Sequence, residues 1–145
     1  MSAFSAGIVV HIALLAGGAQ PYEQAQKQAA ANGQPLLVLV GTDWCPGCRT
    51  MKDGVLARMS AGGRLAKVNY TMVNADRESD LAAHLIRGNA IPQLIVFSKR
   101  PDGEWHREQI TGTASETQVA ALIERARAAQ AAKTARPTSA AVGGN

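Results

Sequence analysis

The two cysteines of this 145-residue chain, Cys45 and Cys48, lie three positions apart, just after the apolar run 36–40. Five consecutive apolar residues predict a buried strand, and Pro46 suits a first helical turn because its missing N–H needs no partner there. The sequence therefore predicts a strand, a turn and a helix with Cys45 on its exposed first turn. Unpaired N–H groups and the helix dipole favour a thiolate there, so we expect Cys45 to be the nucleophile. Cys48, one turn further along, is placed to close a disulfide with it.

Two other chemistries also use paired cysteines. A structural zinc site needs four ligands, but the sequence has no second cysteine pair, and His11, His84 and His106 lack ligand spacing. We therefore expect a redox dithiol, no metal site and no cofactor. Thiolates also suit Cu(I), so a Cu(I)-handling protein stays an alternative, although neither Met51 nor Met59 is obviously placed to assist.

The composition is that of one globular domain. Hydrophobic residues make up 46% of the chain, which is long enough for a core of moderate size. Fifteen Lys and Arg against eleven Asp and Glu give a net charge of +4. Four of the basic residues lie near the C-terminus: Arg125, Arg127, Lys133 and Arg136. These charges suit a solvated helix face, so we expect no nucleic-acid partner. We also expect a monomer.

The N-terminal residues 1–19 have the length and small-residue ending of a signal peptide. The stretch 6–16 is apolar except for His11, although no Lys or Arg precedes it. The alternative is an extra helix or strand docked on the domain. We expect export, with a periplasmic or other exported location; without a signal function the location would be cytoplasmic. The domain is predicted to cover 20–132 and to be followed by a disordered tail over 133–145.

Beyond Gln20, helical and strand patterns alternate. Helices are predicted over 22–32, 46–60 and 78–87, strands over 36–40, 68–75 and 94–97, and a hairpin partner over 105–111. Thr113 or Ser115 should cap a last helix, with Glu116 or Gln118 as the capping-box partner. We expect Asp76 to cap the helix that follows it. The inner faces of two helices are predicted to hold Met51, Val55, Leu56, Met59, Val119, Leu122 and Ile123.

This order of elements resembles the thioredoxin fold over about residues 22–132, an α/β fold with a mixed sheet flanked by helices and here an extra N-terminal helix. The resemblance rests on residues 43–48 (DWCPGC), 73–76 (VNAD) and 90–92 (AIP), and on Gly112 before the last helix. In that family the proline before the strand is cis and faces the dithiol. The resemblance therefore implies that Pro92 joins Cys45 and Cys48 as a catalytic residue.

The resemblance also implies a shallow apolar groove for substrate polypeptide. Its expected lining consists of Trp44, Pro46, Gly47, Ile91 and Gly112. The segments 32–35 and 41–45 look closer to the exported thioredoxin-like branch, which includes the C-terminal domains of transmembrane disulfide reductases. This likeness supports the expected export by analogy.

Two positions depart from thioredoxin. Thioredoxin has a buried aspartate six residues before the first cysteine, where this chain has Leu39, and the neighbouring lysine aligns with Met72. The dipeptide between the cysteines is Pro-Gly instead of Gly-Pro. We expect a drier site without an obvious base for Cys48, and slower resolution of mixed disulfides.

These observations predict a thiol–disulfide oxidoreductase, most consistently a protein-disulfide reductase. Its expected partners are substrate proteins with disulfides and an upstream electron-donor thiol protein. The alternative from another class is a redox-inactive module that binds a client in the groove. The intact dithiol argues against that alternative, because a pure binder needs no reactive pair.

Overall fold

The computed structural model describes residues 20–132. The expected signal peptide at 1–19 and the expected disordered tail at 133–145 lie outside the described residues. Within 20–132, no helix is long and apolar enough to cross a membrane.

A four-stranded mixed sheet forms the centre of the fold. Its strands are β1 (Leu36–Gly41), β2 (Asn69–Asn74), β3 (Gln93–Lys99) and β4 (Trp105–Thr111), arranged in the order β2-β1-β3-β4. Strand β1 runs parallel to β2 and antiparallel to β3, and β3 and β4 form a hairpin. All six residues of β1 are buried, as its apolar run predicts for a central strand.

Helices cover both faces of this sheet. They are α1 (Tyr22–Asn32), α2 (Pro46–Arg49), α3 (Ala57–Ala61), α4 (Ser79–Leu85) and α5 (Glu116–Ala131). One apolar cluster joins the alternate β1 residues Leu37 and Leu39 to the helical stretch 46–61 and to α5. The other joins Leu36, Val38 and Val40 to α1 and α4. The predicted mixed sheet between helices, with an additional helix before β1, is confirmed.

The predicted helix 46–60, which follows β1, is not a uniform α-helix. Between α2 and α3, residues Thr50–Leu56 form a π-helical segment. The Thr50 hydroxyl donates to the Pro46 carbonyl, 3.1 Å away, and Gly54 lies within the segment. Both features weaken the regular α-helical pattern, so the sequence prediction was wrong in its helix type. The predicted inner stripe is nevertheless confirmed, because Met51, Val55, Leu56 and Met59 are all buried.

The helix caps resolve one open choice and correct another prediction. Ser115 caps α5, and it forms a capping box with Gln118. Asp76 does not cap α4, because that helix begins at Ser79 after an N-cap at Glu78 without a side-chain cap hydrogen bond. The Asp76 carboxylate instead accepts a hydrogen bond from the indole of Trp44.

Candidate active site

The dithiol lies where β1 has ended and α2 begins. Cys45 is the N-cap residue of α2, and its Sγ accepts a hydrogen bond from the Cys48 backbone N–H at 3.3 Å. The two cysteines form a disulfide, with their Cα atoms 5.2 Å apart. A sulfur at an N-cap meets the unpaired N–H groups of the first turn, so this position favours a thiolate once the disulfide is reduced.

Cys45 is less accessible than its predicted place on an exposed helical turn suggested. Its exposed fraction is 7%, against 4% for Cys48. The reason is that its sulfur turns back over the first helical turn, where it is bonded to Cys48 and hydrogen-bonded to the Cys48 N–H.

The Pro92 loop packs directly against the dithiol turn. The Ile91–Pro92 peptide bond is cis. A Cβ built on Gly47 would lie 3.3 Å from Pro92 Cδ and 3.2 Å from Thr113 Cγ2, so only a residue without a side chain fits there comfortably. Gly112, which has a φ of +91°, donates its N–H to the Pro92 carbonyl at 2.8 Å. The structure therefore brings four predicted site residues together: Gly47, Ile91, Pro92 and Gly112.

Gln93 holds this loop in place, a role that the sequence reasoning did not identify. Its side chain is fully buried at the start of β3. The Gln93 amide accepts from the Arg87 N–H and donates to the carbonyls of Arg87 and Ala90 at 2.8 and 2.9 Å. These bonds fix the turn that leads into Ile91. The only sequence signal was a polar residue next to an apolar strand.

Trp44, one of the predicted groove residues, has an exposed fraction of 66%. Its indole Nε1 donates to the Asp76 carboxylate at 2.9 Å, which ties it to the loop after β2. Asp43 beside it forms an ion pair with Arg77 and accepts a hydrogen bond at its carbonyl from Arg49. Pro46 is exposed on the first turn of α2. A large exposed aromatic side chain next to the dithiol is suited to contact another protein.

A second set of residues surrounds Cys48 on the side of β1 and β2. A cavity of about 230 Å³ contacts Cys48 and is lined by Leu39 and Met72, together with Thr42, Lys52, Asp53 and other polar residues. Gly41 leaves no room for a side chain here, since a Cβ built on it would lie 2.6 Å from Cys48 Sγ. Neither Gly41 nor Thr42 was predicted to have a role, because only the fold shows that the strand end contacts the second cysteine.

The pKa of one side chain near this region is displaced. Burial raises the pKa of Tyr70 above its ordinary value of 10.0, and the nearby Asp53 carboxylate raises it further. Tyr70 therefore stays neutral throughout the physiological pH range. Within residues 20–132, no group of three or more His, Cys, Asp or Glu side chains could hold a metal ion.

Known proteins share this architecture. A model of the thioredoxin-like family matches residues 19–99. A thioredoxin from Thermus thermophilus is similar in structure, with a TM-score of 0.62, 21% identity, and coverage of 76% of this chain and 86% of that one. Chloroplastic thioredoxin z gives a TM-score of 0.60 at 19% identity, covering 77% of this chain and 94% of that one. Thioredoxin from Fasciola hepatica gives 0.55 at 24% identity, covering 71% and 91%.

The chain therefore belongs to the thioredoxin-like family. Its Cys45–Cys48 pair, at the N-terminus of the helix that follows β1, makes it a thiol–disulfide oxidoreductase.

Proposed function

We propose that the chain is a protein-disulfide reductase whose reduced Cys45 attacks disulfides of substrate proteins. The observation that carries the proposal is the position of the Cys45 sulfur at the N-cap of α2, on a turn whose Gly47 contacts Pro92. The N-cap favours the reactive thiolate, and the adjacent loop provides backbone for a substrate segment to dock on.

The reaction proceeds in two exchanges. The Cys45 thiolate attacks one sulfur of a substrate disulfide, a Cys45–substrate bond forms, and the other substrate sulfur leaves as a thiolate that takes up a proton. Cys48 then loses its proton and attacks Cys45 Sγ, which releases the second substrate sulfur. The substrate gains two electrons and the Cys45–Cys48 pair loses two. An upstream electron-donor thiol protein returns the pair to the dithiol.

Substrate binding is proposed for the groove of Trp44, Pro46, Gly47, Ile91 and Gly112. Within the described chain, no hydrogen bond occupies the backbone N–H or C=O of Ile91. An extended substrate segment could pair with these groups in the manner of an added strand. The exposed Trp44 indole would supply apolar contact area beside it.

We also propose that the protein works outside the cytoplasm. The support is the apolar stretch 6–16 followed by small residues, which resembles a signal peptide. Amino-terminal sequencing of the exported protein tests this proposal. Cleavage near Ala19 is expected, and a mature chain that still begins at Met1 or Ser2 would overturn it.

The reductase proposal is tested by two matched serine variants. Cys48→Ser should accumulate a Cys45–substrate mixed disulfide, because the resolving thiol is gone, while Cys45→Ser should neither reduce a disulfide substrate nor form the adduct. The measurement is non-reducing electrophoresis and intact mass after incubation with an oxidised protein substrate. Reductase activity retained by Cys45→Ser would contradict the assignment. Client capture by that variant as strong as wild type would favour the redox-inactive binding module.

A further inference from the structure

The Thr42 hydroxyl is buried next to the dithiol without a hydrogen-bond partner. Thr42 is 7% exposed, and its Oγ1 bonds to no atom among the described residues. An unpaired buried hydroxyl is costly, and native proteins keep few such groups. An acceptor that becomes available in another redox state of the protein would satisfy this hydroxyl.

Cys48 is the reactive group that lies against this part of the chain. Thr42 and Cys48 line the same cavity of about 230 Å³. The residue before Thr42, Gly41, approaches so closely that its Cβ position is 2.6 Å from Cys48 Sγ. Thr42 therefore follows directly on a residue that faces the Cys48 sulfur, and it lines the same cavity as that cysteine.

We infer that Thr42 donates a hydrogen bond to the Cys48 sulfur in the reduced protein and stabilises the thiolate that resolves the mixed disulfide. In the disulfide this sulfur is neutral and a weak acceptor. On reduction it can carry a full negative charge, and a hydroxyl donating to a charged sulfur makes a strong, charge-assisted bond. The inference rests on the proposed function, because it concerns the second exchange of that reaction.

The step itself is balanced without any further reagent. Cys48 releases its proton to solvent, and the resulting thiolate attacks Cys45 Sγ. The Cys45–Cys48 bond forms as the Cys45–substrate bond breaks, and the substrate sulfur leaves with the electron pair and takes up a proton. Thr42 keeps its own proton throughout.

The charged side chains around the cavity balance one another and do not account for stabilisation of the Cys48 thiolate. Arg49 and Lys52 contribute two positive charges and Asp43 and Asp53 two negative ones, and Tyr70 on β2 is neutral. Asp43 is already paired with Arg77. A Thr42 substitution leaves all of these charges in place, so a change in the pH dependence of Cys48 would come from the hydroxyl.

Stopped-flow reaction of the reduced protein with excess dithiobis-nitrobenzoate, an aromatic disulfide, tests the inference. The first coloured thiolate is released when Cys45 attacks, and the second when Cys48 resolves the adduct. Loss of the hydrogen bond in Thr42→Val should lower the ratio of thiolate to thiol at Cys48 about tenfold. Since a more basic thiolate is also more nucleophilic, the second phase should be about threefold slower at neutral pH. At a pH where Cys48 is fully ionised in both proteins, the second phase of Thr42→Val should be faster than that of wild type.

Three variants separate a role of the hydroxyl from a structural one. Thr42→Ser keeps the hydroxyl and should retain the wild-type pH profile. Thr42→Ala should reproduce the shift of Thr42→Val. Ser98→Ala is the matched control, because Ser98 also has a buried, unpartnered hydroxyl among the described residues but lies near the far end of β3.

A second phase in Thr42→Val that follows the wild-type pH profile would overturn the inference, and so would a slowing that is equal at every pH. These outcomes differ from a failure of the proposed function. If the proposed function is wrong, the wild-type protein itself will not release the first thiolate as fast as a reactive Cys45 requires.

Discussion

Leu39 on β1 pairs in parallel register with Met72 on β2, and both side chains line the cavity beside Cys48. The resemblance to thioredoxin implies a buried aspartate and a nearby lysine at these two positions. The chain therefore has apolar side chains where thioredoxin itself has two opposite charges. The joint replacement is physically consistent, because either charge alone would be buried without a partner.

Restoring the carboxylate should accelerate the second exchange of the reaction. We expect Leu39→Asp to speed mixed-disulfide resolution about tenfold or more at neutral pH, because the carboxylate can accept the Cys48 proton. The variant should also lose about 3 kcal/mol or more of stability, since Leu39 is fully buried. Stopped-flow reduction measures the rate, and Leu39→Asn is the control with similar polarity and no base. Equal rates in the two variants would show that a missing carboxylate does not limit Cys48.

Gly41 leaves space for the second cysteine. A methyl group there would lie 2.6 Å from Cys48 Sγ, so Gly41→Ala should cost about 1–3 kcal/mol of stability through overpacking. Gly54→Ala is the control, because its Cβ would meet only the end of the Arg58 side chain at 3.6 Å. That variant should be neutral or slightly stabilising. Urea unfolding of the oxidised proteins measures both, and a Gly41→Ala protein as stable as wild type would exclude the close contact.

Much of the fold follows from sequence periodicity. The helix at Tyr22–Asn32 and the strand at Trp105–Thr111 have the predicted bounds, because glycine, proline and polar residues flank both elements. The π-helical segment Thr50–Leu56 could not be predicted in this way. Its apolar positions fit a regular helix, and what differs is the backbone hydrogen bonding, which periodicity does not report.

Met51 contributes a hydrogen bond as well as apolar packing. Its Sδ accepts the backbone N–H of Ala114 at 3.2 Å, in the buried core. We expect Met51→Leu to lose about 1–3 kcal/mol, because the Ala114 N–H is left without an acceptor. Met59→Leu should cost less than about 1.5 kcal/mol, since Met59 is equally buried and makes apolar contacts. Equal losses in the two variants, measured by urea unfolding, would contradict the role of the sulfur.

Glu116 should make stability depend on pH in acid. Hydrogen bonding from Arg58 is the largest influence on Glu116, and with the charges of Arg58 and Arg64 it lowers the pKa of the carboxyl below its ordinary value of 4.5. Because the folded pKa is lowered, the contribution is present above the unfolded value and disappears as the pH falls through the folded one. Glu116→Gln should therefore be less stable than wild type at neutral pH and equally stable near about pH 2.

Glu124→Gln serves as the control for this pH dependence. Among residues 20–132, Glu124 pairs only with Arg127, on the exposed face of α5, and such pairs contribute little. Its substitution should leave the stability almost unchanged at both pH values. A difference between Glu116→Gln and wild type that persists undiminished at low pH would show that the carboxylate charge is not its source.

The candidate site was predictable where residue type and order along the chain carry the chemistry. Cys45 and Cys48 were found from their spacing, and Pro92 from its place before a strand in a resembling family. The contribution of Gln93 was not predictable, because it depends on which backbone groups the folded loop presents. Gly41 and Thr42 were not predicted for a similar reason. Only the folded chain places the end of β1 beside Cys48.

The central claim is that Cys45 and Cys48 form a reversible two-electron redox pair that donates electrons to substrates. The most direct test equilibrates the protein in graded glutathione buffers, alkylates the free thiols and measures the mass shift. The account predicts one reversible transition that requires both cysteines, with a midpoint near about −270 mV, as in a reductant. A midpoint near about −120 mV would make the protein a disulfide donor, and the absence of any transition would contradict the redox assignment itself.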